Sequence, residues 1–142
     1  MVPAVNTAAF AAEATRVDNR IVQLDEALNP NELQRYLSRI GDRWPIQVAL
    51  LGGARVDDAQ GALPQRERGP EYVLVLVSQA FDGMPWLERV YQASALWDAM
   101  EMGAAADVHC YTPDEFGRKR ESLRVVRAAA ERGMLLYEDS RA

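Results

Sequence analysis

Apolar residues recur along this chain with two different spacings, and the change from one to the other divides it into elements. Over about residues 6–28, Phe10, Ala14, Val17, Ile21, Leu24 and Leu28 follow one another at alternating steps of four and three, which lines one face of a helix. The same spacing joins helix pairs, so this seam can pack on its own domain or meet a second copy or another protein. The pattern is short for a coiled coil, which favours packing within the chain. Asn29-Pro30-Asn31-Glu32 then writes a helix start in side chains: Asn29 can cap, Pro30 suits the first helical position, and Glu32 can return a bond to the cap. Leu33, Tyr36, Leu37 and Ile40 give this second helix its apolar face, and Gly41 is its expected end.

Trp44-Pro45 breaks the helical period, and residues 46–51 read as a first strand ending at Gly52-Gly53. Residues 54–70 are polar, rich in glycine, proline and charge, and read as a long loop, functional or disordered. Residues 72–77 are apolar throughout, which predicts a central strand buried on both faces. A third helix is expected from Pro85 to about Met100, with Leu87, Val90, Tyr91, Ser94, Leu96 and Trp97 on its inner side, and a third strand over 107–111. Thr112-Pro113-Asp114-Glu115 is a capping box with proline at the first helical position, opening a helix that should run to Arg132 and close at Gly133. Residues 134–137 add a short edge strand. This order predicts an α+β fold, a mixed sheet with helices packed mainly on one face, in one domain over 29–142 preceded by an N-terminal helical extension over 1–28.

Composition narrows the partners. A formal charge of −5 and an isoelectric point near 4.9 argue against a general nucleic-acid surface, which needs excess lysine and arginine. Cys110, the only cysteine, lies in an apolar run, so neither a disulfide framework nor a thiolate metal cluster is expected. The first fourteen residues carry no basic run and Glu13 interrupts their apolar stretch, so no signal peptide is expected. No window is apolar and long enough to span a bilayer. The expectation is a soluble cytoplasmic domain with no membrane partner.

Strand residues two apart share a face, so Glu71 pairs with Val73, and Asp107 with His109 and Tyr111. If the second and third strands are neighbours, Glu71, Val73 and Asp107 converge. Leu50-Leu51-Gly52-Gly53, Glu71-Tyr72-Val73-Leu74 and Ala106-Asp107-Val108 together resemble, in order, the signature elements of the DNA polymerase β-type nucleotidyltransferase superfamily. The likeness is closest to the small single-domain bacterial members, whose third carboxylate is followed by a run similar to Tyr111-Thr112-Pro113-Asp114-Glu115.

That resemblance implies that Gly52 and Gly53, with Arg55, hold a nucleoside triphosphate, and that Glu71 and Asp107 are catalytic ligands of Mg²⁺. Two clustered metal ions would activate an attacking hydroxyl and neutralise the charge developing on the triphosphate. Val73, however, stands at the place of the second carboxylate, and a hard cation takes oxygen ligands that valine cannot supply. The connection over 54–70 is also longer than the family's usual one. It offers Asp57, Asp58 or Glu67 as a substitute acid, or a plug for the cleft. The expectation is therefore a pseudoenzyme or weakly active member that binds a nucleotide or a partner.

Two other readings stand beside it. One is an active Mg²⁺-dependent enzyme moving a nucleoside monophosphate from a triphosphate to a hydroxyl. The other is a nucleic-acid-associated regulator using Arg120, Arg124 and Arg127, which helical spacing puts on one face of the last helix, where they can contact phosphate or nucleic acid. Glu121 and Glu131 interleave with this basic run, and the helix dipole favours basic residues near its end, so a solvated face is the plainer account. His109 is expected to be a hydrogen-bonded strand residue rather than a metal ligand or proton carrier, Cys110 a core residue, and Trp44, Trp86 and Trp97 packing residues.

Overall fold

The computed structural model describes residues 26–62 and 68–139. Most of the amphipathic seam over 6–28 lies outside the described residues. Its last three, Glu26–Leu28, form a 3₁₀ turn that buries Leu28. Asn29 follows in the left-handed conformation with φ 50°, accepts from the Glu32 amide and starts helix α1, Pro30–Arg43. Helix α1 continues through Gly41 to Arg43, two residues beyond the expected end, with Trp44 as its cap. Glu32 does not return to the cap as expected. Its carboxylate is buried on α1 and is held instead by Arg35 and Arg39, one and two turns further along.

Strand β1 (Val48–Gly52) leads into a short helix α2, Ala54–Ala59, where the sequence predicted only loop. The helix buries Ala54 and Val56 against the sheet, and that tertiary contact outweighs the polar local composition. Strand β2 (Tyr72–Val77) is buried at every position, as its unbroken apolar run predicts. Helices α3 (Trp86–Ala95) and α4 (Ala99–Met102) replace the single helix expected over 85–100, with Asp98 capping the second. Leu87 and Tyr91, expected on the inner side, are 77% and 75% exposed. Val90 packs inward as expected, joined by Ala93 and by Arg89, whose guanidinium spans inward to the Met84 and Cys110 carbonyls and to Glu115.

Strand β3 (Ala106–Tyr111) is followed by α5, Pro113–Ser122, whose Thr112–Glu115 capping box is fully formed. The helix predicted to run unbroken to Arg132 stops at Leu123, which is extended, and resumes as α6, Arg124–Arg132. Helix α5 buries none of its residues, whereas α6 buries Val126 and Ala129; the bend lets the apolar side of α6 lie on the sheet. Strand β4 (Met134–Glu138) closes the order at an edge.

The four strands form one mixed sheet in the order β3-β2-β1-β4, with β2 parallel to β3 and β1 antiparallel to both β2 and β4. Its larger core lies on the face covered by α1, where Leu33, Tyr36 and Ile40 meet Tyr72, Leu74 and Leu76. The opposite face carries a smaller core of Leu50, Val73, Val75, Val77 and Tyr111 beneath Val126 and Ala129. The fold is α+β, with most helices on one face as the element order predicts. Among the described residues no helix is long and apolar enough to cross a membrane.

Candidate functional site

The turn between β1 and α2 is built on two glycines with different duties. Gly53 has φ 107°, and a Cβ there would stand 2.6 Å from the Glu71 carbonyl oxygen and 2.7 Å from the Tyr72 Cα. The chain therefore passes directly against the start of β2, and the Ala54 and Arg55 amides donate to the Pro70 and Glu71 carbonyls at 2.9 and 3.1 Å. Those two N–H groups are thus spent on the fold rather than left for a phosphate. A Cβ on Gly52 would meet Ala129 at 3.2 Å, so this glycine admits α6 close to β1.

A cleft of about 580 Å³ opens along this contact. Gly52, Gly53 and Val73 belong to its lining, Asp57 reaches it from α2, and Arg124, Ala128 and Arg132 reach it from α6. Its size falls in the range of small-molecule sites, and its surface mixes apolar side chains with a few charged ones. Arg124 and Arg132 make no ion pair or side-chain hydrogen bond among the described residues. Arg68, also in the lining, is bound to Asp58 at 3.1 Å and to Glu71 at 2.6 Å.

Glu71 and Asp107 have other partners. The Glu71 carboxylate lies between the Arg68 and Arg55 guanidinium groups, which hold its pKa down at about 2. Arg55 is braced further by the Gly103 carbonyl at 3.1 Å and by the Tyr72 ring beneath it. Asp107 is the register partner of Val73 across β2 and β3, as the strand argument requires. Its carboxylate, half-exposed, is 3.1 Å from His109 Nε2, and His109 Nδ1 is 3.0 Å from the Tyr111 hydroxyl. His109 is thus the hydrogen-bonded strand residue expected. Trp86 stacks on the Tyr111 ring at 5.3 Å between centroids. Burial pushes the Tyr111 hydroxyl up to about 12, and the Cys110 thiol on the opposite face likewise.

Mg²⁺ does not fit these residues. Val73 offers no oxygen, Glu71 is committed to two arginines, and among the described residues no three His, Cys, Asp or Glu side chains stand together as a metal-holding group.

Of the residues singled out in the sequence, Gly52, Gly53, Asp57, Val73 and Arg124 line the cleft, while Arg55, Glu71, Asp107, Arg120 and Arg127 do not. Arg120, Arg124 and Arg127 do not share one helical face, because the bend at Leu123 puts Arg120 on α5 and the other two on α6. Arg120 lies over the Phe116 ring, and Arg127 donates to the Arg120 and Glu121 carbonyls at the end of α5. Arg132 was the residue missed. Arg124, Ala128 and Arg132 recur every four positions, a row on one side of a helix that the sequence does contain. No family model, curated protein or solved structure matches this chain.

Proposed function

We propose that this chain is a nucleotidyltransferase-like domain that binds a nucleotide through its phosphates and does not carry out two-metal transfer. The reading is carried by one observation: Arg124 and Arg132, neither with an acidic partner among the described residues, face a cleft lined by Gly52, Gly53 and Val73. Guanidinium groups make charge-assisted, often bidentate bonds to phosphate, and two of them in one helical row can hold the phosphates of one ligand between them. Loss of transfer chemistry follows from the other acids. Glu71 is neutralised by Arg55 and Arg68, and Asp107 has an aliphatic neighbour where a bridging carboxylate would be needed.

The test is thermal stability of the purified protein with each nucleoside triphosphate, in EDTA and in Mg²⁺ or Mn²⁺. A nucleotide at about one hundred times its Kd stabilises the folded state by about 2.7 kcal/mol. The expected result is a shift of equal size with and without metal, lost in Arg132→Ala. A shift that appears only with metal would instead support the active enzyme. No shift with any nucleotide would leave the scaffold as a surface for a protein partner.

A further inference from the structure

Several charged groups of this fold are spent on one another. Glu32 holds Arg35 and Arg39, Glu71 holds Arg55 and Arg68, Asp58 holds Arg68, and Glu115 holds Arg89. Three charged groups that line the cleft are not paired in this way among the described residues. Asp57 lines it from α2, half-buried, and its carboxylate has no hydrogen bond or ion pair among the described residues. Arg124 and Arg132 line it from α6 in the same unpaired state. Val73, Val125 and Ala128 contribute apolar surface to the same lining.

An unpaired carboxylate is a poor feature for a site that takes a bare anion, because it repels the charge that the arginines attract. It suits a ligand that is anionic at one end and carries hydrogen-bond donors at the other. We infer that Asp57 is the nucleoside-reading residue of this cleft: Arg124 and Arg132 hold the phosphates, and the Asp57 carboxylate accepts from the ribose hydroxyls of the same molecule. The inference rests on the nucleotide-binding reading and adds to it the residue that separates a nucleoside phosphate from a plain polyphosphate. The apolar surface gives the sugar and base a face to lie against, so that carboxylate and guanidinium groups contact different ends of one ligand. Discrimination of this kind comes from a polar group of the cleft wall that loses its hydrogen-bond partner when the ligand lacks it.

The experiment is calorimetric titration in EDTA with three ligands: ATP, its 2′,3′-dideoxy analogue and inorganic tripolyphosphate. Wild-type protein is expected to bind ATP at least about tenfold more tightly than either of the others, the loss of one well-placed hydrogen-bonded contact. Asp57→Ala is expected to erase that preference, weakening ATP by the same factor while leaving tripolyphosphate unchanged or tighter. Arg132→Ala is expected to weaken all three. The dideoxy ligand tests the same contact in unmutated protein, so a misfolded variant does not stall the test. Equal affinity of wild-type protein for ATP and dideoxy-ATP, or equal loss of ATP and tripolyphosphate in a folded Asp57→Ala, overturns the role of Asp57 and leaves nucleotide binding standing. Failure of wild-type protein to bind any of the three overturns the nucleotide reading itself, and the role of Asp57 with it.

Discussion

Val73 and Asp107 face each other in register across the parallel pair β2 and β3, the one 3% exposed and packed under α6, the other half-exposed and bonded to His109. A second carboxylate at position 73 would stand beside the first. Val73→Asp is therefore expected to lower stability by about 3 kcal/mol in EDTA, the cost of a carboxylate among Leu50, Val75 and Val126. Millimolar Mn²⁺ is expected to restore part of that loss, and to restore none when Asp107→Ala is added. Urea unfolding with and without metal checks both. A metal response that survives Asp107→Ala would show that the two positions do not cooperate.

Gly53 has no room for a side chain. Gly53→Ala forces a Cβ to within 2.6 Å of the Glu71 carbonyl at a backbone angle that alanine rarely adopts. The expected loss is about 3 kcal/mol or more, because strain and overlap act together and the obstacle is backbone. Gly61, with φ 77° and open space around it, is the control, and Gly61→Ala is expected to cost only the strain of its φ, about 1 kcal/mol. Chemical denaturation of the two variants side by side tests the difference.

The clasp on Glu71 gives stability an acid dependence of known sign. Hydrogen bonds from Arg68 and Arg55 depress its pKa from 4.5 to about 2. A depressed carboxyl stabilises the fold above its unfolded value and loses that contribution as pH falls through the folded one. Wild-type protein should therefore exceed Glu71→Gln in stability at pH 6, with the gap shrinking between about pH 4.5 and pH 2. Melting temperatures across that range read the effect, and a gap independent of pH would mean that the carboxylate charge does not matter.

Arg127 and Arg132 lie five residues apart on α6 and should behave in opposite ways. Arg127 donates to the last carbonyls of α5, so Arg127→Ala is expected to lower stability by about 0.5–1 kcal/mol and to leave nucleotide affinity unchanged. Arg132→Ala is expected to leave stability unchanged and to remove phosphate binding. Unfolding and titration on both variants decide whether the two arginines have been assigned correctly.

Much of the frame was legible because its signals are local. The strand over 72–77 follows from an unbroken apolar run, the start of α5 from a capping box, and the alternation of sides from the pleat. The breaks were not legible. The arginines at 120, 124 and 127 look like one helical row until Leu123 turns out to be extended, a bend imposed by the fit of Val126 and Ala129 onto the sheet. Helix α2 was hidden for the same reason, since what holds it is burial of Ala54 and Val56, not the propensity of its own residues.

The site divides along the same line. By itself the amino-acid sequence determined that β2 is central, that Val73 cannot ligate a metal, and that Asp107, His109 and Tyr111 share a side of their strand, because residue type and a period of two suffice for each. Only the tertiary structure decided which charges remain unspent. Arg55, on another element, comes in beside the local partner Arg68 at Glu71, and Asp57, Arg124 and Arg132 are left facing the cleft. A pair such as Arg55 and Glu71 depends on distances of a few ångströms between groups on different elements, and no spacing along the sequence encodes that.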